Sequence, residues 1–192
     1  GMGFLFAPVF HASMKHAVGP RRDIGIRTIF NILGPLTNPA SAQHLLLGVY
    51  KPELCEVFAH VLVRLNTERA MIVHGLEGMD EISVTTDTKV VEIRDGKIRH
   101  YLVNPRDFGL PEYNLRDLIG GDADENAKIL QGILSGQQNG AKRAAVLMNA
   151  GAAFYVSGVS KDMGEGKRYA ETIIDSGKAL GKLEELVEVS RS

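Results

Sequence analysis

The sequence has a single cysteine, no long hydrophobic run and almost no net charge, and each of these absences excludes a class of protein. With Cys55 as the single cysteine an internal disulfide cannot form, so a reducing, cytoplasmic setting is expected. No apolar stretch approaches the length that spans a bilayer, and no internal repeat or low-complexity segment is visible. What is present, 44% hydrophobic and 23% charged residues, is typical of one ordinary globular domain.

The formal net charge of -1 disfavours general binding to nucleic acid, which requires an extended basic surface. The one dense basic group consists of Lys15, His16, Arg21, Arg22 and Arg27. Its small extent suits one small anion better than a duplex. These arginines either face a cleft and bind a carboxylate or phosphate, or pair with acidic surface residues, and composition alone favours the pairing.

The spacing of apolar residues predicts an α/β fold, in which a central, mostly parallel β-sheet carries an antiparallel hairpin annex and is flanked by helices. A strand, a helix and a strand at 45–50, 52–66 and 69–74 form a βαβ unit, which predicts a parallel pair with a right-handed connection. Further strands are predicted at 82–86, 89–94 and 97–103, the last two joined by the turn Asp95-Gly96. A helical turn is predicted at 114–118, and helices are predicted at 122–134, 139–157, 162–176 and 180–189.

Several single positions carry predictions of their own. Cys55 lies in an apolar helical pattern and is predicted to be a small core residue. Gly140 and Gly151 both weaken a helix, so one of them is predicted to mark a close approach between backbones. The residues predicted to form the solvated side of the hairpin are Lys89, Glu92, Arg94, Lys97 and Arg99. The histidines whose spacing gives no zinc site, and which are predicted to be structural or surface residues, are His44, His60, His74 and His100.

Asp80 and Glu81 end a loop that starts at Gly75, directly after a predicted central strand. Open α/β sheets bind their ligands at this edge, where the carboxyl ends of the strands lie. Adjacent carboxylates repel each other in a cleft, and Mg2+, which prefers hard oxygen ligands and keeps several waters, would relieve that repulsion. The residues alone favour a plain solvated pair, so a metal site here needs further support.

Several stretches of the chain are distinctive sequence motifs. They are FLFAPVFHASMKHAVGPRRDIGI followed by RTIFNILGPLTNPA, then HGLEGMDEISV, VNPRDFGL, NAGAAFYVSG and SGKALGKLEEL. Together they resemble the anthranilate phosphoribosyltransferase family over essentially the whole chain. Met79 departs from the leucine that the family more often has before the acidic pair, a swap that nearly conserves volume.

The resemblance implies an enzyme of tryptophan biosynthesis that transfers a phosphoribosyl group from phosphoribosyl pyrophosphate to the amine of anthranilate. It implies that Arg21 binds the anthranilate carboxylate and that His11 and Met14 line the same entrance. It also implies that Asp80 and Glu81 hold Mg2+ on the pyrophosphate, and that the full-length enzyme is a homodimer. No residue is identified as a catalytic acid or base.

Residues 1–192 are expected to form one α/β domain. Other parts of the enzyme are expected to be absent from this chain. In the family, a small helical domain, a glycine-rich phosphate loop and a Lys-His-Gly-Asn motif precede the residues that match here. The chain alone is therefore expected to be folded but inactive. The helical segment 11–39 would pack against the missing domain. Without that domain, an apolar patch is expected to be exposed, and the chain is expected either to associate through it or to show disorder there. The patch consists of Phe4, Phe6, Phe10, Ile29 and Phe30.

Two alternatives stay open. Pyrimidine nucleoside phosphorylases share this fold, although their characteristic Arg and Lys substrate motif is not found here. A non-catalytic relative could instead bind nucleic acid through the basic group, but a pure binder has no use for the Asp80-Glu81 pair.

Overall fold

The computed structural model describes residues 2–3, 36, 38 and 40–191. The chain divides into two compact units, Gly1–Ala42 and Gln43–Ser192, and nearly all described residues belong to the second. The predicted helical segment 11–39 lies almost entirely outside the described residues. The prediction of a single domain over residues 1–192 therefore stays a prediction.

The described part of the second unit contains four strands and five helices. The strands are β1 (His44–Gly48), β2 (Arg69–Gly75), β3 (Thr88–Arg94) and β4 (Lys97–Val103). The helices are α1 (Pro52–Arg64), α2 (Ala123–Leu134), α3 (Ala141–Val156), α4 (Met163–Asp175) and α5 (Lys178–Arg191), with short 3-10 helices at Pro105–Phe108 and Leu115–Leu118. None of the helices in residues 40–191 combines the length and apolarity that crossing a membrane requires.

The strands form one sheet in the order β1-β2-β3-β4, with β1 and β2 parallel and the other two pairings antiparallel. The α/β class, the parallel βαβ unit and the hairpin are confirmed. The described sheet is mixed rather than mostly parallel, because the chain returns from β2 directly into the antiparallel β3. Residues 82–86, predicted to be a strand, belong to the loop 76–87 between β2 and β3.

Helices cover both faces of the sheet. Met71 and Val73 of β2 and Val90 of β3 share a buried cluster with residues of α3. Because side chains alternate along a strand, the residues between them point to the opposite face, where α1 contacts β2 and β3. Cys55 of α1 is fully buried, as predicted, and burial raises the pKa of its thiol, which suits an inert core residue.

Glu92 was predicted to be solvated and is instead buried, with 5% of its surface exposed. It follows Val90 by two residues and therefore points to the same face, beneath α3. The Tyr155 hydroxyl of α3 donates a hydrogen bond to Glu92 at 2.6 Å and accepts one from Arg94 at 3.1 Å. The carboxylate is thus tolerated inside the fold because it has a dedicated donor. Lys97 and Arg99 of the same hairpin are exposed, as predicted.

The helices α3 and α4 pack against each other with their backbones in near contact. A Cβ atom at Gly151 would lie 2.7 Å from the backbone nitrogen of Lys167, and one at Gly166 would lie 2.2 Å from the Gly151 carbonyl oxygen. Both distances are too short for any side chain. The prediction of a close approach is therefore confirmed for Gly151, whereas Gly140 precedes α3 with a φ of 88° and has open space around it.

We expect Gly151→Ala to lower the free energy of unfolding by about 1–3 kcal/mol, because the methyl group forces α3 and α4 apart. Urea unfolding followed by circular dichroism measures the change. Gly181→Ala is the matched control, since Gly181 lies within α5 and a Cβ there would meet nothing within 4 Å. An equal effect of the two substitutions would contradict this account of the helix pair.

Candidate functional site

The loop 76–87 begins at the carboxyl end of β2, next to the carboxyl end of the parallel strand β1. It folds back on itself at its start, where the Gly75 N–H donates to the Met79 carbonyl at 2.8 Å. Its two ends are joined by a hydrogen bond of 2.9 Å from the Leu76 N–H to the Asp87 carbonyl. The loop is therefore a closed structure at the sheet edge where α/β folds bind ligands.

The end of β1 lies directly against Asp80. A Cβ atom at Gly48 would be 1.5 Å from the Asp80 carbonyl oxygen, so no residue other than glycine fits this backbone arrangement. Next to this contact, the Nδ1 of His74 donates to the Val49 carbonyl at 2.7 Å and holds the ends of β1 and β2 together. The backbone at Asp80 is thus placed by the edge of the sheet itself.

A partly buried network organises the far side of the loop around Glu77. One oxygen of the Glu77 carboxylate accepts hydrogen bonds from the hydroxyls of Ser83 and of Thr85, the latter at 2.8 Å. The Ser83 oxygen in turn accepts from the backbone N–H groups of Thr85 and Thr86 at 3.0 and 3.1 Å. The other Glu77 oxygen is buried and has no hydrogen-bond partner among the described residues. Glu77 therefore acts inside the loop, linking its first residues to its last.

Asn149 of α3 contacts the loop from the helix layer. Its Oδ1 accepts from the Ile82 N–H at 3.0 Å, and its Nδ2 donates to the Ile82 carbonyl at 3.2 Å and to the Ala145 carbonyl at 3.0 Å. The sequence patterns above did not single out Asn149. The available signal was an amide in the middle of an otherwise apolar helical stretch, since such a group needs partners when it is buried.

Asp80 and Glu81 are brought together at this edge as predicted, and both are exposed. Partial burial of its carboxyl group, and secondarily the charge of Asp80, raise the pKa of Glu81. An open pocket of about 550 Å3 adjoins Glu81 and is also lined by Gly120, Gly121 and Lys142. Glu81, the second residue of the acidic pair, therefore lies at the rim of a cleft with space for a ligand.

The donor set limits which metal could bind. Among residues 40–191, no group of three or more His, Cys, Asp or Glu side chains is close enough to hold an ion. Two adjacent carboxylates fit Mg2+, which keeps several waters and takes its other ligands from phosphates, better than an ion that needs a complete protein cage. The described histidines agree with the prediction of structural or surface roles: His44 pairs with Glu68, and His60 and His100 with Glu56.

The three residues predicted to bind anthranilate, His11, Met14 and Arg21, lie outside the described residues. Their roles stay predictions.

Comparison with known proteins bears on the family. The sequence model described as "Glycosyl transferase family, a/b domain" matches residues 1–180. The chain belongs to this family. Anthranilate phosphoribosyltransferase of Acetivibrio thermocellus is 53% identical over 192 residues, which are all of this chain and 55% of that protein. The resemblance seen in the sequence is thereby confirmed.

Solved structures of the same enzyme have the same fold. The crystal structure from Thermus thermophilus matches with a TM-score of 0.91 and 41% identity over 99% of this chain and 56% of that one. The structure from Saccharomyces cerevisiae in complex with PRPP and Mg matches with a TM-score of 0.87 and 36% identity over 96% of this chain and 53% of that one. The chain spans about half the length of these members of the family. None of these findings favours a nucleoside phosphorylase or a nucleic-acid binder.

We expect Gly48→Ala to displace the Asp80 backbone, because the new methyl group would overlap its carbonyl oxygen. The free energy of unfolding should fall by about 1–3 kcal/mol, and amide hydrogen exchange should accelerate in the loop 76–87. Urea unfolding and exchange followed by mass spectrometry measure the two effects, with Gly181→Ala again as the control. Unchanged exchange in the loop would show that Gly48 does not place Asp80.

Proposed function

We propose that this chain forms the α/β half of an enzyme that joins the amine of anthranilate to the phosphoribosyl group of phosphoribosyl pyrophosphate, releasing pyrophosphate, in tryptophan biosynthesis. The observation that carries the proposal is the acidic pair, fixed at the carboxyl edge of the sheet in a chain that is 53% identical to such an enzyme. The cofactor is Mg2+. A structure similar to this chain was solved with both PRPP and Mg.

The reaction breaks the bond between C1 of the ribose and a pyrophosphate oxygen, which leaves with the electron pair. The anthranilate nitrogen forms the new bond to C1, and its proton passes to solvent. An aromatic amine is already neutral and nucleophilic at pH 7, so the enzyme needs positioning and electrostatics more than a strong base.

Asp80 and Glu81 bind the metal through their carboxylate oxygens and hold it at the leaving group. Mg2+ supplies positive charge that spreads the charge of the departing pyrophosphate. The network around Glu77, the Gly48 contact and the pairing of His74 with Val49 keep the backbone of the pair in place. Preorganised groups of this kind stabilise a transition state without first having to be reoriented.

Arg21 binds the carboxylate of anthranilate, and His11 and Met14 line the same subsite. The support for these roles is the resemblance together with the chemistry of the guanidinium group, whose planar fork matches a carboxylate. The subsite places the amine of anthranilate toward C1 of the donor.

Catalysis further requires the part of the relatives that this chain does not span. That part would supply the glycine-rich loop that holds the phosphates and the small helical domain against which the segment 11–39 packs. The complete enzyme is a cytoplasmic homodimer. The 192-residue chain alone is folded and inactive, and it associates through the apolar patch of Phe4, Phe6, Phe10, Ile29 and Phe30.

We expect Asp80→Asn and Glu81→Gln, made in a full-length protein that contains this chain, to lower activity by roughly 10-fold or more at limiting Mg2+. Each replaces a charged oxygen ligand with a neutral amide, and loss of even a group that only orients a metal ligand typically costs that much. Raising Mg2+ should partly restore the rate. Activity is measured across a Mg2+ titration. Asp95→Asn is the matched control, because it removes an exposed carboxylate at the hairpin turn, on the opposite edge of the sheet. Normal activity of the two site variants at limiting Mg2+ would exclude the metal role.

We expect Arg21→Ala in the same protein to raise the KM for anthranilate by roughly 10- to 100-fold, which corresponds to ~1.5–3 kcal/mol for a charge-assisted hydrogen bond. Steady-state kinetics with each substrate varied in turn measure the effect, and Arg99→Ala, on the exposed hairpin, is the control. A loss confined to the KM for phosphoribosyl pyrophosphate would place Arg21 on the donor's phosphates instead.

A further inference from the structure

The amide of Asn149 contacts the loop in a way that resembles a neighbouring strand. It accepts from the N–H of Ile82 and donates to the carbonyl of the same residue, so both backbone polar groups of Ile82 are paired by one side chain. A further bond from Nδ2 to the Ala145 carbonyl, one turn earlier in α3, fixes the orientation of the amide on its own helix. Two hydrogen bonds thus join the Asn149 side chain to the backbone of the loop, and a third joins it to its own helix.

Ile82 is the residue directly after Glu81, and its side chain is also held. It is 1% exposed and belongs to the buried cluster that includes Met148, the neighbour of Asn149 in α3. The same helix therefore fixes Ile82 twice, through its backbone and through its side chain. Because Ile82 is held at both its backbone and its side chain, the positions open to the neighbouring Glu81 are restricted.

The opposite side of the acidic pair is fixed by a different element. Gly48 at the end of β1 lies against the Asp80 carbonyl, while the Glu77 network begins at Ser83. Between these two contacts lie Glu81 and Ile82. Among the described residues outside the loop, Asn149 is the one that forms hydrogen bonds with their backbone, through Ile82. Loss of the amide would leave an N–H and a carbonyl of Ile82 without these partners.

We propose that Asn149 is a positioning residue for the metal-binding pair, which holds Glu81 in place through the backbone of Ile82. The inference rests on the proposed function, because it requires that Asp80 and Glu81 bind a divalent cation. Asn149 itself does not touch the metal or the reacting atoms. Removal of a residue that orients a metal ligand without touching the metal typically lowers metal affinity by about 10- to 100-fold.

The test is the binding of Mn2+, as a paramagnetic substitute for Mg2+, to a full-length protein that contains this chain, in the presence of inorganic pyrophosphate. Electron paramagnetic resonance of the free ion gives the Kd, corrected for the complex that Mn2+ forms with pyrophosphate alone. Asn149→Ala should raise the Kd by about 10-fold or more and should accelerate hydrogen exchange of the Ile82 amide.

Gly151→Ala provides the control for a merely structural effect. It disturbs the same helix two residues further along, at the contact with α4, and leaves the amide of Asn149 in place. It should lower the free energy of unfolding while leaving the Kd for Mn2+ and the exchange of the Ile82 amide unchanged. If Asn149→Ala does not fold, Asn149→Asp takes its place, because it keeps the acceptor oxygen and loses the two donated bonds.

The outcomes separate this inference from the proposed function. Binding that depends on Asp80, Glu81 and Asn149, but not on Gly151, supports both. Binding that depends on Asp80 and Glu81 but is equal in Asn149→Ala or Asn149→Asp overturns the inference alone. Absence of binding, or binding that is unaffected by Asp80→Asn and Glu81→Gln, overturns the metal role and this inference with it.

Discussion

The hydrogen-bonding groups of the loop 76–87 have to be satisfied without a regular strand partner, and the rest of the site depends on how this is done. The pairing of β2 with β3 ends at Gly75 and Thr88. The residues between these two points form no regular strand pairing. Buried N–H and carbonyl groups that lack partners are costly, so side chains must supply them. Ser83, Thr88 and Asn149 do so, and Glu77 in turn accepts a hydrogen bond from the Ser83 hydroxyl.

This solution gives the loop a rigidity that a solvated loop would not have. Its fixed points come from three different places, namely the end of β1, the loop's own carboxylate and the helix α3. The two carboxylates between these points remain exposed, so the backbone is ordered where the side chains must be free to bind. Functional groups held on rigid supports in this way are the usual arrangement of ligand sites in α/β proteins.

Local patterns in the sequence were sufficient for much of the fold. The βαβ unit, the turn at Asp95-Gly96 and the burial of Cys55 follow from residues that are close together in the chain. Two predictions were wrong for one physical reason, which is that distant residues decide them. Residues 82–86 alternate as in a strand, but the hydrogen-bond partner of Ile82 is the side-chain amide of a residue 67 positions away. Glu92 can be buried because Tyr155, 63 positions away, donates a hydrogen bond to its carboxylate.

The candidate site was only partly accessible from the sequence. The position of Asp80 and Glu81 at the sheet edge followed from the order of the strands, but their interpretation as metal ligands needed the family resemblance, since exposed acidic pairs are common. The supports around them could not be predicted from neighbouring residues. They depend on distances between segments that meet only in the folded chain.

The burial of Cys55 has a practical consequence for experiments on this chain. It is the single cysteine, it is fully buried, and its thiol has a raised pKa, so it reacts slowly with alkylating reagents in the folded protein. A cysteine introduced at an exposed position would therefore be labelled selectively, with no need to remove the native one. A spectroscopic probe placed at the rim of the cleft would then report directly on the movement of the loop beside it.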